Sequence, residues 1–78
     1  MKEFDAYRDL IERTKYAINS DNRDIVYEVY GEARMALQLG AISFDQYFKI
    51  NAVLIRCYLN GGANRKKKAL KQIEETEW

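Results

Sequence analysis

The chain has 78 residues, 47% hydrophobic and 32% charged, with a net charge of +1. That mixture is too apolar for a disordered chain and too charged for a membrane protein, and the charge gives neither a global field for nucleic acid nor the acidic surface of a DNA mimic. One core is all that this length allows, burying roughly 60 to 65% of the unfolded surface, so further support from a disulfide, a metal or oligomerisation is expected.

Two of those supports are excluded. Cys57 is the single cysteine and there is no histidine, so an internal disulfide cannot form and the usual zinc ligand sets are missing. Oligomerisation remains. No apolar run reaches the roughly 18 residues that span a bilayer, and Met1-Lys2-Glu3-Phe4-Asp5 lacks a basic-then-apolar signal layout, which predicts a cytoplasmic protein.

The pattern predicts an all-α fold: a small helical bundle of three core helices, about 3–19, 22–39 and 44–60, plus a basic C-terminal helix, about 64–77. The whole chain reads as one domain, with 61–78 as a semi-independent helix. Proline is absent, so Asn19-Ser20-Asp21-Asn22, Gly40 and Gly61-Gly62 supply the breaks.

Helix one places Phe4, Tyr7, Leu10, Ile11, Ala17 and Ile18 on one stripe. Helix two is expected to be capped by Asp21, with Asp24 in its first turn and Ile25, Val26, Val29, Tyr30, Ala33, Ala36 and Leu37 facing inward. Gly31 interrupts it at a cost of about 1 kcal/mol against alanine, which predicts a backbone passing close by, or else a kink.

Helix three opens on Ser43-Phe44-Asp45-Gln46, a capping box. Phe44, Tyr47, Phe48, Leu54, Ile55 and Tyr58 form its inward face, and Ile50 and Cys57 widen the apolar arc to roughly 200°, more than one partner covers. Asn51 within that arc is expected to bond across a helix contact and fix register. Helix four has only Ala69, Leu70 and Ile73 to bury, and its charges oppose its own dipole.

Residues Ala36-Leu37-Gln38-Leu39-Gly40-Ala41-Ile42-Ser43-Phe44-Asp45-Gln46-Tyr47-Phe48, followed by Leu54, resemble the short helical SHOCT module: a helix, a glycine, an Ile-Ser step, an acidic or amide pair, then an aromatic and a leucine. The resemblance covers residues 36–55 and implies a packing or oligomerisation element without chemistry. In size and composition the chain also resembles small helical proteins of phages and mobile elements.

No catalytic constellation emerges. Cys57 has no histidine to activate it and reads as a packed thiol. The carboxylates Asp5, Asp9, Glu12, Glu28, Glu32 and Asp45 read as solvated helix surface, and no phosphate loop, zinc spacing or calcium loop is present. No cofactor, metal or catalytic residue is expected.

Residues off the predicted core are the candidates for partner binding: Tyr16, Tyr27, Met35, Val53 and Trp78, types enriched at interfaces or unaccounted for by the stripes. The leading expectation is therefore a non-enzymatic protein-interaction module, homodimeric through surplus apolar surface on helices two and three. A phage or mobile-element regulator docking on a host protein is the setting this suggests. The alternative is a nucleic-acid accessory protein with Arg65, Lys66, Lys67, Lys68 and Lys71 on phosphates. The charge split is slight, about −1 through Asn60 and +2 beyond it.

Overall fold

The computed structural model describes residues 5–78 and shows an all-α bundle measuring 41 × 23 × 22 Å. The expected start of helix one at residue 3, and the core role of Phe4, lie outside the described residues. Four helical stretches follow in order: α1 (Ala6–Ser20), α2 (Arg23–Gln38), α3 (Phe44–Asn51) continued by a π-helical segment (Ala52–Leu59), and α4 (Arg65–Glu75) after one 3₁₀ turn at Gly62–Asn64.

Each boundary has a local cause. Asp5 caps α1 by accepting from the Arg8 amide at 3.1 Å. α2 is capped by Asn22, whose Oδ1 accepts from the Asp24 amide at 2.9 Å. That corrects the expectation for Asp21, which instead ends α1 in the left-handed region at φ 51°, a conformation aspartate tolerates better than most residues.

α2 stops in a Schellman arrangement: the Gly40 amide donates to Leu37 O and the Ala41 amide to Ala36 O, with Gly40 at φ 74°. Ser43 and Gln46 then form the expected reciprocal capping box, at 3.2 and 2.9 Å.

All four helices meet in one core, whose largest fully buried side chains are Tyr58, Ile18, Ile50, Leu54, Val26, Val29 and Val53. The most extensive helix contact joins the π segment to α4, with Ala69 fully buried and Leu70 and Ile73 packed against the core. α1 and α2 form the next pair, clamped at the surface by a two-pronged bond from Arg13 Nε and Nη2 to Glu32 at 3.1 and 2.8 Å. Both side chains are about one-third exposed, so solvent screening holds this pair to a contribution of about 1 kcal/mol or less.

The third helix is the main departure from the sequence reading. A uniform α-helix over 44–60 was expected, with Phe44 and Phe48 inward. Instead the second half bonds i→i+5, as where the Asn60 amide donates to Ile55 O at 2.9 Å, and the inward face is Ile50, Val53, Leu54 and Tyr58. Phe44 and Phe48 are 66% and 63% exposed. The cause is phase: Ile50, Val53, Leu54 and Tyr58 recur at i, i+3, i+4 and i+8 and form the buried stripe, which turns Phe44 and Phe48 away from it.

Asn51, at the junction, does not bond across a helix contact as expected; its buried Oδ1 has no partner. Tyr58 is anchored: its hydroxyl donates to Asp21 Oδ1 at 2.6 Å, and Arg65 reaches the same oxygen with Nε at 3.6 Å while its guanidinium lies 5.4 Å from the Tyr58 ring centre.

Gly61 is required by space. A Cβ there would collide with the Cys57 carbonyl oxygen and lie 2.8 Å from Arg65 Cα. Replacing Gly61 by alanine is expected to cost about 2 kcal/mol, read as a fall in the urea midpoint without a change in slope. Gly62→Ala is a weaker comparison, since there only the positive φ of 65° resists.

The Tyr58 hydroxyl bond, aided by Arg65 and Lys66 and opposed by desolvation, holds the Asp21 carboxyl below the usual carboxylate range. A lowered folded pKa stabilises the fold above the unfolded value, about 3.9, and that contribution disappears as pH falls through the folded value. Stability is thus expected to drop below about pH 4, and Asp21→Asn to flatten that drop in melting curves taken from pH 6 to 2. Equal acid slopes for both proteins would remove Asp21 from this role.

Candidate partner-binding surface

The five partner-binding candidates do not form one patch. Tyr16 and Tyr27 are each 56% exposed, on α1 and α2 respectively, and Met35 is 55% exposed. Val53, by contrast, is fully buried in the π segment, and Trp78 is half-buried against Tyr7 with ring centres 6.4 Å apart. Both expectations are corrected for one reason: neither stripe was phased by what packs on it. Val53 packs in the core of the bundle, and Trp78 folds back against Tyr7 at the start of α1.

Of the five, Met35 alone lines the groove between the start of α1 and the end of α2. Leu10, Met35 and Leu39 supply its bulky apolar lining, Gly31 and Ala36 add small residues, and Asp9 and Glu32 mark its acidic edge, enclosing about 560 Å³. Leu39, at 75% the most exposed of the large hydrophobic residues among those described, was not singled out by the sequence reading, which ran helix two through it; it stands one residue past the last α-helical position. The Schellman turn is what places it and Ala41 at the groove's end.

Gly31 has a different role from the one expected. No backbone crosses it; a Cβ there would meet nothing within 4 Å. Its missing side chain leaves the middle of the groove open. A second apolar surface, also missed, runs along α3, where the Phe44 and Phe48 ring centres lie 6.0 Å apart.

The basic run is divided by its own contacts. Arg65 is committed to Asp21 and Tyr58, and Lys68 Nζ donates to the Gly61 carbonyl at 3.1 Å. Positive charge that opposes the dipole of α4 therefore serves the carbonyl end of the helix before it. Only Lys66, Lys67 and Lys71 line the shallow hollow beside Leu70, where Glu74 also stands, and Lys71 pairs with Glu75 at 3.9 Å.

The Cys57 thiol packs toward Gln72 with Sγ 3.9 Å from Oε1, and burial raises its pKa, the opposite of activation. Burial also raises Tyr7 and Tyr47, Asp45 reinforcing the first and Tyr30 the second. Asp45 pairs with Lys49 at 3.5 Å, and among the described residues no three metal-binding side chains gather. No described helix is long and apolar enough to cross a membrane.

No family model, curated protein or solved structure matches this chain. The surface must therefore be read from its own chemistry.

Because Gly31 is helical and unopposed, Gly31→Ala is expected to raise stability by about 1 kcal/mol. Chemical denaturation checks this directly. A loss of stability would mean that the groove is closed by something in the free protein.

Proposed function

We propose that this chain is a non-enzymatic protein-interaction module that docks a segment of a partner protein in the α1–α2 groove. The observation that carries this reading is the pairing of two large exposed apolar side chains, Met35 and Leu39, with an open floor at Gly31. Such side chains cost solvation free energy in the free protein and return it when covered, and a concave apolar lining with a few polar groups at its edge is the usual form of a docking site. A helix laid in a groove is the mode that fits this shape.

The setting we infer is cytoplasmic, as a small regulator of the phage or mobile-element type acting on a host protein. Its size and composition favour that setting. The nucleic-acid alternative is weakened by the commitment of Arg65 and Lys68, since three lysines give a salt slope of about −3 at most.

The test uses Gly31→Met, which fills the groove, and Met35→Glu, which charges it, both at exposed positions where the fold should hold. Wild-type protein immobilised and exposed to source-cell lysate is expected to retain a protein that both variants lose, with helical circular dichroism unchanged. Retention of the same proteins by all three would sink the groove as the docking site. Retention of nucleic acid alone, released by moderate salt, would favour the alternative.

A further inference from the structure

The α1–α2 groove is apolar at one end and acidic at the other. Leu39, Met35, Glu32 and Glu28 fall at successive spacings of four, three and four along α2 and just past its end, so they form one helical stripe with the apolar pair toward the C-terminal side. Met35 and Leu39 stand in solvent beside the small side chains of Ala6 and Ala36, the open position at Gly31 and the buried Leu10. From the other wall α1 contributes Asp9, and among the described residues no basic side chain lines the space.

The acidic end holds more negative charge than its one cation balances. Arg13 bonds Glu32 through Nε and Nη2 at 3.1 and 2.8 Å and lies 3.7 Å from Glu28. Its pKa is raised, by Glu32 first and then by the charges of Glu28 and Asp9. Three carboxylates therefore share one guanidinium, and among the described residues no second cation pairs with any of them. Arg34, on the neighbouring turns of α2, lies 5.8 Å from the Tyr30 ring centre and does not line the groove.

We propose that the segment docked in this groove is a cationic amphipathic helix, its apolar side chains against Met35 and Leu39 and its lysines or arginines against Asp9, Glu28 and Glu32. This rests on the reading of the groove as a docking site and adds the partner's charge pattern. Charge complementarity selects the occupant. An acidic segment would bring like charge to carboxylates that already outnumber their cation, and a wholly apolar one would strip water from them and return no partner. Met35 and Glu28 are about two helical turns apart, roughly 10 Å, so the basic residues of the partner follow its apolar ones by a similar distance. The flexible thioether of Met35 adapts to apolar side chains of different shape.

The test uses two synthetic helical peptides with the same leucine face, one bearing lysines at its edges and the other glutamates. Fluorescence anisotropy at low salt reads their binding to the full chain. The lysine peptide is expected to bind about tenfold tighter than the glutamate peptide, and added salt to shrink that ratio. Asp9→Asn combined with Glu28→Gln, both at exposed positions, is expected to cut the preference to about threefold or less with circular dichroism unchanged. Gly31→Met keeps every carboxylate but fills the groove, and is expected to abolish binding of the lysine peptide. Equal affinity for the two peptides, lost for both in Gly31→Met, would overturn the charge pattern and leave the groove reading standing. A lysine peptide still bound by Gly31→Met would be held by charge elsewhere and would overturn the inference, as would binding of neither peptide; the lysate capture then decides whether the groove docks any protein.

Discussion

The fold depends on how a fully buried tyrosine disposes of its hydroxyl. Tyr58 lies in the centre of the bundle with its ring wholly out of water, and a polar group placed there must find a partner or be excluded. Asp21 provides that partner from the end of α1, some 37 residues earlier in the chain. The same carboxylate draws in Arg65, so the first and last chain reversals are held to one point on helix three. Asp21 occupies the left-handed position that ends α1, so one residue serves both the helix end and the junction.

Placing Tyr58 also constrains the helix that carries it. Ile50, Val53, Leu54 and Tyr58, at i, i+3, i+4 and i+8, share one face and all turn to the interior. From Ala52 to Leu59 the backbone is a π segment, whose poorer hydrogen bonds are offset by the packing of this stretch against α4. The close approach of Arg65 to the segment's last turn then leaves room only for glycine at position 61.

The same constraint decides which surface is left over. With the inward face fixed by Tyr58, the phenylalanines at the start of helix three are turned outward. The basic run is partly absorbed into the junction, where Arg65 meets Asp21 and Lys68 donates to the Gly61 carbonyl. What remains distinctive is apolar: the Met35–Leu39 groove and the Phe44–Phe48 face. Both are surfaces that a protein partner covers better than a nucleic acid does.

The sequence by itself determined most of what acts within about one helical turn, though not that Asn22, in place of Asp21, caps α2. Helix content, the Ser43 capping box, the break at Gly40 and the core stripes of α1 and α2 follow from side chains bonding to nearby backbone and from a regular period, and all could be read directly. The phase of helix three could not, because it is set by a hydrogen bond to Asp21 and by the packing of α4, which are distant in the chain. For that reason the sequence pattern leaves Val53 off the core stripe and puts Phe44 and Phe48 on it, the reverse of their burial. Gly31 was ambiguous for the same cause: a glycine in a helix signals either a close neighbour or an open space, and only the tertiary arrangement shows which.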